Sequence, residues 1–334
     1  MALTLLTPKL KSCLSLLLLM ASPSLSAQTA PKISQLYQFT YPTAVENLIS
    51  LPNGCLLLST SADADLWYID PEALFPAAQN VITLSGSVKL TGIAALGDNF
   101  YAVAGAAPNP PGSHMQIYVI NVETEGQVSA KVDHVVKVPG TGDISGMAAL
   151  PSNPRTILSA DAVGGRILRV NTSDNTVSVA FEHATLKPND EKNATAKGVK
   201  GLKIRGDHLY FTNSAQKLFG RFPISADGAN IGDVEILARL DETHGNDASY
   251  DDFSFDREGN AFVAVHPSSI HKVAPGGAQL VFAGGMNSTM LEPTSTILSN
   301  SGNAIYVSTA GKDTGYPISG GQVLRVQVGT LYNA

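Results

Sequence analysis

The stretch KGLKIRGDHLYFTNS, residues 200–214, opens on a polar residue, runs through a short apolar segment to a Gly-Asp turn, and continues into a second segment rich in β-formers. Two such runs flanking a tight turn specify a β-hairpin. The same phrase returns as ENLISLPNGCLLLST from Glu46, TGIAALGDNFYAVAG from Thr91, SGMAALPSNPRTILSA from Ser145, DDFSFDREGNAFVAV from Asp251 and TSTILSNSGNAIYVST from Thr294. The period is about fifty residues, and because one hairpin cannot bury both of its faces, copies at that spacing must stack on each other, as in a propeller. Six copies predict six blades.

Each hairpin is followed by two further short runs, such as ADADLWYID (62–70) with NVITL (80–84), and NSAQKLFGRFPI (213–224) with DVEILARL (233–240). Alternating runs broken by Asn, Asp, Gly and Ser are the signature of antiparallel meanders, which gives four strands per blade. The last copy is followed only by GGQVLRVQV (320–328), while SQLYQFTY (34–41) precedes the first copy without a blade of its own. That N-terminal strand is expected to complete the sixth blade and close the ring, removing open sheet edges. The fold class is therefore all-β, a six-bladed propeller occupying residues 28–334 as one domain.

Composition agrees: 44% hydrophobic residues, 30 Gly and 19 Pro supply a large core and many turns. A formal net charge of −6 offers no electrostatic footprint for nucleic acid or for anionic lipid. Residues 1–27 read as a signal peptide, with Lys9 and Lys11 before the apolar run Leu14 to Ala21 and a small residue, Ala27, at the cleavage position. No later run approaches the roughly 20 apolar residues of a membrane span. The expected destination is the secretory pathway, which gives meaning to the glycosylation sequons at Asn171, Asn193 and Asn287. Removal of the leader takes Cys13 with it and leaves Cys55 as the single thiol, so no intramolecular disulfide can form. Cys55 lies in an apolar run and reads as a small buried hydrophobe.

The innermost strand of a propeller blade lines a central channel, and the first residue of each phrase begins that strand. Glu46, Thr91, Ser145, Lys200, Asp251 and Thr294 are thus expected in one ring at a channel mouth. Three of the six are charged, and burying an unpaired ion costs several kcal/mol, about what only a functional or tightly paired site would justify.

Glu46 before an apolar strand, GLKIRGDHLYFTNSAQKLFGRFPI and DDFSFDREGNAFVA resemble the senescence-marker-protein/gluconolactonase superfamily of six-bladed propellers. Members that hydrolyse lactones hold one divalent cation at the channel mouth with a Glu, two Asn and an Asp. The resemblance keeps the Glu as Glu46 and the Asp as Asp251, puts Lys200 where one Asn belongs, and offers only Ser145 or Asp143 for the other. An ammonium aimed at the ligand centre repels a hard cation. No metal and no cofactor is therefore expected. Two readings stay open: a salt-bridged plug, or a metal-free site in which Lys200, Glu46 and Asp251 orient an organic substrate.

YFTNSAQKLFGRFPI and YDDFSFDREGNAFVAV, with the leader and the sequons, further resemble a fungal branch of these propellers that includes hetero-Diels–Alderases of tropolone sesquiterpenoid assembly. That resemblance implies small organic partners, a tropolone-derived o-quinone methide and a humulene-type polyene. A cycloaddition needs neither nucleophile nor metal, only a near-attack pose and exclusion of water. Lys200, Glu46, Asp251 and His266 are the expected catalytic groups. Trp67, Thr91, His114, Met115, Met147, Ser145, Phe219, Asp252, Phe253, Thr294 and Tyr316 are the expected substrate contacts. A metal-dependent lactonase and a non-catalytic binding propeller are the alternatives.

Overall fold

The computed structural model describes residues 30–108, 114–189, 196–312 and 318–328. Among the described residues, six four-stranded antiparallel sheets account for every extended strand, and helix is confined to the 3-10 turns Ala184–Leu186 and Glu242–His244. The innermost strands, in blade order, are Val45–Ser50, Lys89–Gly97, Ile144–Leu150, Val199–Arg205, Ser249–Phe255 and Pro293–Leu298. Each packs on the next, and the sixth packs on the first.

Closure follows the sequence expectation. Ile33–Gln38 pairs antiparallel with Gln322–Gln327 as the outermost strand of the sixth blade, whose other members are Ala304–Thr309 and Pro293–Leu298. The strand ends earlier than Tyr41 because the chain turns back over Thr40–Thr43, where the Thr43 N–H donates to the Thr40 carbonyl and Pro42 has no N–H to offer.

The core is divided among seams. Six buried clusters lie one between each pair of adjacent blades: Leu57, Leu66 and Val103 between the first and second, Phe211, Leu218 and Leu158 between the third and fourth, Phe262 and Ile305 between the fifth and sixth. Strand alternation causes this, since each sheet sends successive side chains to opposite faces and both faces meet a neighbouring blade. Cys55 is buried in the first seam, where burial raises its pKa. Trp67, Met115, Met147, Phe219 and Phe253 also belong to seams and not to a channel wall. Trp67 packs edge-on against Phe39, Phe219 edge-on against Phe253, and Met115 and Met147 share the seam between the second and third blades.

Candidate active site at the channel mouth

What brings polar side chains to the axis is an irregularity repeated six times. In every blade the pairing of the two innermost strands slips at the start of the phrase: between Val45 and Asn47, Leu90 and Ile93, Ile144 and Met147, Val199 and Leu202, Tyr250 and Phe253, and Pro293 and Ser295. A bulge re-aims the extra residue away from the sheet face. The slips contain Glu46, Thr91, Ser145, Lys200, Asp251 and Thr294. Five of these line one throat, together with Asn47, Asp143, Gly146 and Asp252. Thr294 is the exception: its hydroxyl donates to the Val45 carbonyl at 2.7 Å and shares a hydrogen bond with Ser308, stitching the last blade to the first.

Lys200 is the centre of the throat. Its Nζ lies 3.1 Å from Asp251 Oδ2, and the same carboxylate oxygen is 3.1 Å from His266 Nε2. His266 Nδ1 meets Glu292 Oε2 at 2.5 Å. Burial opposes the charge on Lys200, but Asp251, Glu46 and Asp143 outweigh it and raise its pKa. Burial likewise pulls His266 down, yet its hydrogen bonds to Asp251 and Glu292 prevail and lift it to about 9. Asp251 is raised by burial but lowered on balance by Lys200 and His266. On the other side, the buried Asp143 pairs with Lys197 and, at 3.2 Å, with Lys89; they overcome burial and hold it at about 2. Glu46 acts on Lys200 through space only, and neither its carboxylate nor the Ser145 hydroxyl has a hydrogen-bond partner among the described residues.

A second layer closes the channel below this ring. The residues next in each phrase are Asn47, Gly92, Gly146, Gly201, Asp252 and Ser295. Asn47 Nδ2 donates to Asp252 Oδ2 at 3.0 Å, and the Ser295 hydroxyl donates to Asn47 Oδ1 at 3.2 Å and to Asp252 Oδ2 at 3.1 Å. Lys203 Nζ holds both Asp252 oxygens at 2.7 Å. The other three blades present glycine: a Cβ on Gly92 would sit 2.1 Å from the Ser145 carbonyl oxygen, one on Gly146 would sit 2.4 Å from the Leu202 nitrogen, and one on Gly201 would sit 2.6 Å from Asp252 Oδ1. The throat that residues of both layers line is narrow, about 10 Å³, room for one water. Asp252 thus belongs to this second layer.

Of the other expected contacts, His114 is exposed and lines, with Met115, Ala107, Lys137, Val138 and Pro139, a mostly apolar groove of about 380 Å³ on the second blade. Tyr316, Asn193 and the leader 1–27 lie outside the described residues. Asn287 is exposed on a turn, whereas the Asn171 amide is engaged by Asp174. Lys197, Lys89, Glu292, Asn47 and Lys203 join the site without having been singled out as site residues in the sequence, and Asp143, weighed there only against Ser145 for a metal-ligand position, joins it as the partner of Lys89 and Lys197. Asp143, Lys197 and Glu292 precede their phrases by two or three residues, so the segment leading into these innermost strands carried the signal.

The family resemblance implies a divalent cation at this mouth, and the donors present do not fit one. An ammonium stands against Asp251, the carboxylate that would be a ligand, and among the described residues no group of three or more His, Cys, Asp and Glu is arranged to hold a metal. Comparison with known proteins agrees with the architecture. No family model matches the chain. A Phoma protein described as "Putative hetero-Diels-Alderase" is 24% identical over 262 residues, 71% of this chain and 73% of that protein. Among solved structures, a luciferin-regenerating enzyme aligns with TM-score 0.64 at 15% identity, covering 90% of this chain and 96% of that one. Regucalcin from Agrobacterium tumefaciens aligns with TM-score 0.59 at 13% identity, covering 88% and 94%. The fold is a regucalcin-like six-bladed propeller. Among the described residues no helix is long and apolar enough to cross a membrane.

Proposed function

We propose that the protein is a hetero-Diels–Alderase that works at this mouth, joining a tropolone-derived o-quinone methide to a humulene-type polyene. The observation that carries the reading is that Lys200, a buried ammonium paired with Asp251, stands in the field of Glu46, a carboxylate with no hydrogen-bond partner among the described residues. Lys200 has three N–H donors, of which Asp251 takes one. Another donates to the carbonyl oxygen of the heterodiene, lowering the energy of the orbital that accepts the alkene electrons; the C–O and C–C bonds then form with no atom lost. Where the quinone methide is made in place from a benzylic alcohol, Glu46 takes the ring hydroxyl proton and returns it to the departing hydroxyl, which leaves as water. Both ring nitrogens of His266 are committed to carboxylates, so His266 supports this chemistry and Lys200 performs it.

The hydrocarbon partner needs an apolar support beside the charged throat. Connections that lead into the innermost strands, or join second strands to third, lie at the mouth, and they expose Tyr41, Val88, Met286 and Ile318. An apolar rim around a few convergent polar groups suits a ligand with one polar end. The relative from Phoma supports the reaction class. The test is incubation with a quinone-methide precursor and humulene. Product ratio and stereochemistry should differ from the blank with this protein and revert with Lys200→Met; products that match the blank throughout would reject the reading.

A further inference from the structure

We propose that Glu292 is a positioning residue: its carboxylate clamps His266 from outside the ring, and His266 in turn fixes Asp251 against Lys200. The proposal rests on the reading of Lys200 as the substrate-facing donor, but the clamp itself stands on four aligned groups. Glu292 Oε2 is 2.5 Å from His266 Nδ1, His266 Nε2 is 3.1 Å from Asp251 Oδ2, and that oxygen is 3.1 Å from Lys200 Nζ. A carboxylate accepts only, so a ring that serves one on each nitrogen carries a proton on both.

The backbone supports the same assignment. Glu292 takes a left-handed conformation, φ 53°, which is uncommon for a residue other than Gly, Asn or Asp. Two main-chain hydrogen bonds of 2.8 Å hold it there, from its N–H to the Pro267 carbonyl and to its own carbonyl from the Ala310 N–H. Pro267 directly follows His266, so the clamp is anchored to the histidine's own hairpin. Strained positions of this kind persist where the surroundings over-determine them and cluster at functional sites.

The charged groups bearing on the His266 ring are few. Asp251 comes from the innermost strand of its blade, Glu292 from the segment entering the sixth blade, and Lys200 from the fourth. Its own strand, Ala261–His266, adds none. Two anions against one cation favour the imidazolium, in keeping with a pKa lifted to about 9. Without Glu292 the balance is one to one and burial regains weight.

The experiment is an NMR titration of the histidine side chains in the full mature protein, with His266 assigned by its loss in His266→Gln. In the unaltered protein the His266 ring should stay protonated through neutral pH. In Glu292→Gln its midpoint should fall by about one pH unit or more. Glu292→Asp, which keeps the charge, should recover part of the shift and serves alone if the glutamine variant fails to fold. A midpoint unchanged in Glu292→Gln, or displaced equally by Glu292→Asp, overturns the clamp. In the cycloaddition assay the alkaline limb of kcat should move to lower pH with KM unchanged. A shifted midpoint in a protein without cycloaddition activity would retain the clamp and reject the functional reading.

Discussion

Lys200 and His266 converge on one atom: each places a nitrogen 3.1 Å from Asp251 Oδ2. A buried carboxylate that serves two cations stays ionised, and each cation is held by a charge it cannot leave without exposing a lone ion to low dielectric. The throat is therefore rigid before any ligand arrives, which is the condition for electrostatic preorganisation.

Replacing Lys200 tests this arrangement from two sides. Lys200→Met should lower the cycloaddition rate by about 100-fold, the scale set by loss of one preorganised donor. It should also lower the unfolding free energy in urea by roughly 3–5 kcal/mol, as expected when a buried pair loses one partner. Lys200→Asn restores an oxygen ligand beside Glu46 and Asp251. Its melting temperature should rise with added calcium and fall with chelator, while that of the parent protein should respond to neither.

The pH dependence of stability follows from two shifted groups of opposite sign. His266 is raised from its usual 6.5 to about 9, so its contribution is complete below about 6.5 and disappears as the pH climbs through 9. Asp143 is lowered from 3.8 to about 2, so its contribution is complete above about 4 and disappears as the pH falls through 2. Melting temperature against pH should show a plateau between these limits. The alkaline decline should be absent from His266→Gln, and its persistence there would assign the decline to another group.

Channel sealing predicts an unusual intolerance of alanine. Gly146→Ala would drive a methyl to 2.4 Å from the Leu202 nitrogen and 2.5 Å from the Lys200 carbonyl, so the third and fourth blades must separate. A loss of about 1–3 kcal/mol in unfolding free energy is expected. Gly126→Ala, at an open turn with nothing within 4 Å of the added methyl, is the control for the steric part. Its φ of 78° adds only local strain. A smaller loss at 146 than at 126 would contradict the sealing geometry.

Ring closure has its own test. Deleting 33–38 removes the outermost strand of the sixth blade and bares the edge of Gln322–Gln327. Soluble yield should collapse, and a truncated protein with the parent melting curve would show that closure contributes nothing.

The repeated phrase made the fold legible because a fifty-residue period constrains every blade at once, and it made the ring legible because the bulge falls at the same place in each copy. The aromatic contacts were not legible in the same way. Trp67, Phe219 and Phe253 sit at strand spacing that fits a channel wall and a blade seam equally, and only packing distinguishes them. Glu292 stood outside the phrase, and its left-handed backbone leaves no mark in a sequence where Glu precedes Pro. Lys203 looked like an ordinary solvated lysine three residues beyond Lys200, and its role depends on how far Asp252 reaches across from the next blade.

The second layer of the channel divides the ring into unequal halves. Gly92, Gly146 and Gly201 close three consecutive blades with bare backbone, while Asn47, Asp252 and Ser295 close the other three with side chains. A sixfold floor of equal parts would support the ring above it equally on every side. This floor does not, since hydrogen-bonded side chains stand along one edge and peptide planes along the other. A guest with one polar end would therefore find its turn about the axis set by the protein, where an equal sixfold floor would leave it free.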